Sequence, residues 1–324
     1  MHTHAQSKIS IKQLAGYLLA SSILLVGLFF RVHKLGHDPF FQDQAATSMG
    51  ALEVVDGSWP LVGPMSFSFS TTLRDPPLPS YLYALPFAVS GDPRLARLFT
   101  AMWNILALAL AFRIGSRYFG VKAGVLASLL YAVHPTAVLA SRFIWNPNLA
   151  APLVMLYVYT GLAGYYESKP IARILHFPSL ALAILCHPAL VLLAPVSVVF
   201  WLWSWWQHRC SRRNLYIHTA LSTLSAILIL TPWLVGNLLI AYSSTSQDSL
   251  NSMSELLQFQ SPDPESFMPI LAGEGCWRNQ CPMLSGERPE VYLTHILPSL
   301  TLAATICVLL LGILRGRTLP ALGI

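Results

Sequence analysis

Long stretches without a charged residue alternate along the chain with short stretches that hold nearly all of them. No Asp, Glu, Lys or Arg occurs in 13–30, 98–112, 123–141, 143–166, 174–208, 214–247 or 291–314. A helix that crosses the hydrocarbon core needs about 17–25 mostly apolar residues. The pattern therefore predicts eight crossing helices, at 13–32, 95–113, 122–141, 147–166, 172–187, 188–207, 215–241 and 294–314. The run 174–208 holds two of them. His187-Pro188 supplies the break, because proline cannot continue a helix. A further apolar stretch, 80–91, is short and interrupted by Pro86. It predicts a helix lying at the membrane interface rather than crossing it.

Composition supports that pattern. Hydrophobic residues make up 54% of the 324 and charged residues 10%, against about 25% charged in a soluble domain. Most of the surface must face something other than water. The expected fold class is an all-α integral membrane protein, a single polytopic transmembrane domain over 1–324 with about eight transmembrane helices. The first apolar run has a basic lead, Lys8 and Lys12. Arg31 and Lys34 follow it with no small-residue cleavage site, so it reads as a retained first helix.

The distribution of the +6 net charge orients the chain. Lys8/Lys12, Arg113/Arg117/Lys122, Lys169/Arg173, Arg209/Arg212/Arg213 and Arg315/Arg317 form basic clusters. Such clusters favour the cytoplasmic side. Each successive pair then encloses an even number of crossings, as the eight helices require. The acids test the map independently. Thirteen of the fourteen fall on the opposite side, and only Glu167 is cytoplasmic. The expected placement is a multi-pass plasma (inner) membrane protein with a cytoplasmic N-terminus. Any site built from carboxylates is external, or periplasmic.

Two long external loops follow from this map. The first, about 32–94, is rich in Pro, Gly and Ser and contains the interfacial helix. The second, about 242–290, is acidic and holds Cys276 and Cys281. A disulfide between them fits an oxidising compartment. No neighbouring His or Cys completes a zinc set. The chain ends soon after Arg317, close behind the last predicted helix, which points to a truncated or split chain.

Chemistry is concentrated in the first loop and around the third crossing. Asp43 follows Phe40-Phe41 and precedes a helical stretch, about 44–55. It is either a base made stronger by partial desolvation or the N-cap of that helix. In Arg74-Asp75-Pro76-Pro77 two prolines fix an extended backbone. Arg74 is a candidate for phosphate binding, and Asp75 for binding a metal or positioning an acceptor. Arg142 lies in Ser141-Arg142-Phe143-Ile144-Trp145-Asn146-Pro147-Asn148, where it either binds a lipid phosphate or snorkels to the interface. His187 falls at an external turn and is a candidate for a metal or polar contact. No nucleotide-binding fingerprint and no nucleic-acid partner is indicated.

Taken in order, these features resemble a known family. They are the aromatic–Asp43 pair, the turn Asp56-Gly57-Ser58-Trp59-Pro60, and Pro76-Pro77-Leu78 leading to Tyr81-Leu82-Tyr83-Ala84-Leu85-Pro86-Phe87. They continue with Gly91-Asp92-Pro93-Arg94-Leu95-Ala96-Arg97-Leu98, Arg117-Tyr118-Phe119-Gly120 and Ser141-Arg142 before Trp145. The set is similar to the polytopic, lipid-carrier-dependent glycosyltransferases of the GT-C fold, a group that includes protein O-mannosyltransferases and aminoarabinose transferases. The resemblance covers roughly 36–241. It implies transfer of a hexosyl or pentosyl group from a polyprenyl-phosphate carrier to a lipid, glycan or protein acceptor hydroxyl at the outer face. Asp43 is then the catalytic base, with Arg142, Arg74 and Asp75 at the donor phosphate. No particular cofactor is indicated, and a divalent metal is left open.

The sequence departs from that family at two places. Gln44 stands where an acid often follows the base, and Asp75 stands where a Lys or His often precedes the proline pair. A non-catalytic relative that binds the carrier is one rival reading. A transporter or flippase is another, although such proteins place ionisable residues near mid-membrane, and these spans hold almost none.

Overall fold

A computed structural model describes residues 11–63, 74–207 and 211–246. Among them there are helices and turns and no strand. In chain order the α-helices are α1 (Ile11–Val32), α2 (Gln42–Val55), α3 (Leu78–Val89), α4 (Pro93–Phe119), α5 (Val121–Val133), α6 (Pro135–Ala140), α7 (Ala150–Gly161), α8 (Pro170–Ile184), α9 (Ala194–Trp206) and α10 (Arg212–Ser246). Seven of the eight predicted crossings lie within the described residues, and each is helical there. The eighth, 294–314, lies outside them, as do Cys276, Cys281 and most of the second loop.

Five helical stretches are long and apolar enough to cross a membrane: Leu18–His37, Pro93–Phe119, Asn146–Tyr166, Pro188–Trp206 and Arg212–Tyr242. The other two predicted crossings differ in detail. The stretch expected at 122–141 is two helices, because Pro135 has no N–H to carry α5 onward and restarts the chain as α6. The one expected at 172–187 is the 15-residue α8. The short helix expected at 80–91 appears as α3; its 12 residues span about 18 Å, well short of a roughly 30 Å hydrocarbon core.

Packing explains how apolar helices with few charges stay together. Lipid tails are as apolar as leucine, so helices associate by close backbone approach and buried hydrogen bonds. Gly115 on α4 and Gly124 on α5 supply the first. A methyl group added at Gly115 would stand 2.6 Å from the Gly124 Cα. Arg31 supplies the second. It is fully buried and sits beside the α5–α6 break. Its Nη2 donates to the Tyr131 carbonyl at 3.1 Å and its Nη1 to the Ala132 carbonyl at 3.1 Å and the Gly27 carbonyl at 3.0 Å; Nε donates to Ser141 Oγ at 3.1 Å. Pro135 leaves the Tyr131 carbonyl without a helical partner, and the guanidinium replaces the missing donor.

The lone acid on the predicted cytoplasmic side is neutralised where it stands. Glu167, just past α7, pairs with the Arg117 guanidinium through both carboxylate oxygens and with Lys169 Nζ at 3.1 Å. Burial pushes its carboxyl up, but the Arg117, Tyr118 and Lys169 contacts outweigh that and hold it down at about 2.

Candidate active site at the loop end of the bundle

α2 begins at Gln42, with Phe41 as its N-cap and no side chain capping it. Asp43 is therefore not the cap. It lies in the first helical turn, where the amide dipoles favour an acid. Its carboxylate is open to the surface and has no partner among the described residues. Partial desolvation by its neighbours raises it above the ordinary aspartate value. Phe41 packs on Phe143 with ring centres 5.7 Å apart, and Phe40 lies 5.6 Å below the Arg97 guanidinium. The two aromatics fasten the start of α2 from both sides.

Gln44 has a structural reason to be an amide. It is 2% exposed; its Nε2 donates to the Pro39 carbonyl at 3.1 Å, and its Oε1 accepts from the Ile144 N–H at 3.2 Å. A glutamate could accept from Ile144 but would have nothing to donate to Pro39. One helical turn beyond Asp43, Thr47 Oγ1 donates to Asn146 Oδ1 at 3.3 Å, and Asn146 Nδ2 donates to Asp75 Oδ2 at 3.3 Å. Residues four apart on a helix share a face. Thr47 and Asn146 thus tie α2, one turn beyond Asp43, to Asp75.

The turn 141–149 is the hub of these contacts. Tyr83 Oη accepts from the Trp145 N–H at 3.2 Å, Trp103 Nε1 donates to the Leu149 carbonyl at 2.8 Å, and Asn104 Nδ2 donates to the Asn148 carbonyl at 2.9 Å. Each bond satisfies backbone in a stretch that is not regular α-helix. Irregular backbone is tolerated at membrane depth only when protein satisfies it.

The arginines divide into committed and open. Arg142, expected at the donor phosphate, is committed. Its Nε donates to Asp38 Oδ2 at 2.8 Å, its Nη1 to the Phe30 and His33 carbonyls at 3.0 and 2.7 Å, and its Nη2 to the Lys34 carbonyl at 3.1 Å. It closes the end of α1, where Lys34 turns into the left-handed region at φ 54°. The sequence could not show this, because which carbonyls are left over depends on where α1 ends. Arg97 is committed too, donating to the Leu35, Asp38 and Pro39 carbonyls. Arg74 is open: its backbone is held on both sides, and its guanidinium has no partner among the described residues.

His187 stands half-buried at the N-cap position of the 3₁₀ turn Pro188–Leu193 ahead of α9, and its side chain makes no capping bond there. No group of three His, Cys, Asp or Glu side chains that could hold a metal gathers among the described residues. An open cleft of about 420 Å³ beside Arg142 is lined by Phe30, Asp38, Val133, Pro135, Val138 and Leu139. None of Asp43, Arg74 and Asp75 lines it.

The family model described as dolichyl-phosphate-mannose-protein mannosyltransferase matches residues 74–235. No curated protein matches. Among solved structures, the chain is similar to ArnT from Cupriavidus metallidurans bound to undecaprenyl phosphate, with a TM-score of 0.50 and 19% identity over 68% of this chain and 40% of that one. It is also similar to ArnT from the same organism in the apo state, with a TM-score of 0.49 and 17% identity over 72% of this chain and 42% of that one. The chain thus spans about two fifths of the length of these relatives.

Proposed function

Because this chain belongs to the dolichyl-phosphate-mannose-protein mannosyltransferase family, whose model covers half of its residues, and carries the GT-C fold of membrane glycosyltransferases, we propose that it moves a sugar from a polyprenyl-phosphate carrier to an acceptor hydroxyl at the outer face of the membrane. The donor class is supported by the family description and by the undecaprenyl phosphate bound to the ArnT relative. The basic clusters and the segregated acids support the outer face.

Asp43 is the base in this reading. It takes the acceptor hydroxyl proton as the oxygen attacks the sugar's anomeric carbon. The bond from that carbon to the phosphate oxygen breaks, and the polyprenyl phosphate leaves with the electron pair. Arg74 receives the leaving phosphate's charge. Asp75 orients the acceptor. Arg142 acts at one remove, by holding the α1–α2 connection that carries Asp43. The observation that carries the proposal is an unpartnered, partly desolvated carboxylate joined by one helical turn and the Thr47–Asn146 pair to the Arg74-Asp75 segment.

The test is release of undecaprenyl phosphate from undecaprenyl-phosphate-mannose by the purified chain, with a Ser/Thr-containing peptide supplying the acceptor hydroxyl. Asp43→Asn keeps shape and removes basicity, so turnover should fall about 10²–10⁴-fold. Full turnover by Asp43→Asn protein would remove Asp43 from the mechanism. One observation favours a second reading, a carrier-binding relative without catalysis: Gln44, beside the base, spends both ends of its amide on the fold. That reading expects carrier binding and no turnover in the unmutated chain.

A further inference from the structure

The N–H and the C=O of Arg74 are both held by side chains of one helix. Asn237 Oδ1 accepts from the Arg74 N–H at 2.8 Å, and Trp233 Nε1 donates to the Arg74 carbonyl at 3.1 Å. Trp233 and Asn237 are four residues apart on α10 and so share a face. Asn237 Nδ2 donates to the Trp233 carbonyl at 3.0 Å, which fixes the amide's orientation. Gly236 lies between them in sequence. A methyl group there would meet Leu61 Cβ and Val62 Cγ1 at 2.8 Å, so α10 approaches the first loop at backbone distance. Trp233 is 7% exposed, so its indole N–H is dry and costly to leave unpaired. Together the two side chains engage the peptide groups of Arg74 as a neighbouring strand would, and leave its guanidinium uncommitted.

We infer that Trp233 and Asn237 are positioning residues that aim Arg74 at the phosphate of a polyprenyl-phosphate carrier. The inference rests on the role proposed for Arg74 above and adds to it the helix that sets Arg74's direction. A guanidinium stem has several rotatable bonds, and fixing its backbone removes part of the ordering cost of binding. The site is then shared between the first loop and the last described helix.

The test is a mutant cycle read by the affinity of the full-length purified chain for undecaprenyl phosphate. Arg74→Ala should weaken binding about 10-fold or more, by loss of a charge-assisted contact. Asn237→Ala, and independently Trp233→Phe, which keeps the ring and deletes its N–H, should each weaken binding about 3–10-fold. In the Arg74→Ala background neither should weaken it further, because a residue that acts through Arg74 has nothing left to act on. Equal losses in both backgrounds, or no loss in either, overturn the inference while the carrier reading stands. An unchanged affinity in Arg74→Ala itself overturns Arg74's role and the inference with it.

Discussion

The Arg31 guanidinium donates to the Tyr131 carbonyl at 3.1 Å, across 100 residues of chain, and that carbonyl is the one Pro135 cannot serve. The arginine and the proline are therefore one device. An unpaired carbonyl in a buried site costs about 1–3 kcal/mol. Arg31→Met, which keeps length and loses every donor, should lower thermal stability in detergent by more than an exposed substitution would. Pro135→Ala restores an N–H facing Tyr131, so the double variant should regain part of the loss. A double variant no more stable than Arg31→Met alone would show that the carbonyls are not what Arg31 serves.

Arg142 and Arg74 should separate cleanly by assay. Arg142 makes its bonds within the protein, including an ion pair with Asp38 in which both side chains are less than one fifth exposed. Arg142→Ala strands that carboxylate and the end of α1, and should cost roughly 2–4 kcal/mol of stability. Its affinity for undecaprenyl phosphate, measured below the unfolding range, should stay within about twofold of the unmutated chain, because the lost bonds are internal. A large affinity loss in a well-folded Arg142→Ala protein would return Arg142 to the phosphate.

Acid should switch the reaction off earlier than an ordinary aspartate would. A base works only when deprotonated. Desolvation raises the Asp43 carboxyl above its usual 3.8, so protonation, and with it loss of activity, sets in at a higher pH. The measurement is kcat/KM against pH with undecaprenyl-phosphate-mannose. An acid limb at or below the ordinary aspartate range would rule out Asp43 as the titrating group.

Glu167 predicts the opposite sign for stability. Its folded-state value, about 2, lies below the ordinary 4.5. Its contribution is therefore present above about pH 4.5 and is lost as pH falls toward 2. Screening by solvent discounts the shift to roughly 1 kcal/mol. Glu167→Gln should remove that increment at neutral pH and flatten the decline in thermal stability below pH 4.5. An unchanged acid decline would assign the loss to other carboxylates.

What the sequence made readable, and what it hid, follows from the range of each interaction. Charge-free runs located α1, α4, α7, α9 and α10, because the bilayer imposes one length on all of them. The short α3 was readable for the same reason. The α5–α6 break was half visible: Pro135 is plain in the sequence, yet only Arg31, brought in from α1, lets the chain use it inside the bundle. At the site, Asp43, Arg74 and Asp75 stood out as ionisable residues beside turns. Thr47, Trp233 and Asn237 did not, since an amide, a hydroxyl or an indole becomes informative only with its partner in place; Gln44 stood out only as a departure from the family's pattern. Asn146 entered only as a neighbour in the stretch around Arg142. The commitment of Arg142 was hidden for the reciprocal reason: its partners are carbonyls, and every residue has one.

The two arginines that grip the α1–α2 connection have spent more donors than charge. A hydrogen bond to a neutral carbonyl satisfies an N–H and leaves the net charge unchanged. Arg97 binds three carbonyls and Arg142 three carbonyls and Asp38. Two guanidinium groups and one carboxylate leave a cluster of net +1 behind the aromatic pair at the start of α2. Its field reaches about one Debye length, near 8–10 Å at physiological salt. Within the bundle, charges packed this deeply are screened far less than exposed ones, so added salt should leave the grip of Arg97 and Arg142 on the α1–α2 connection largely intact.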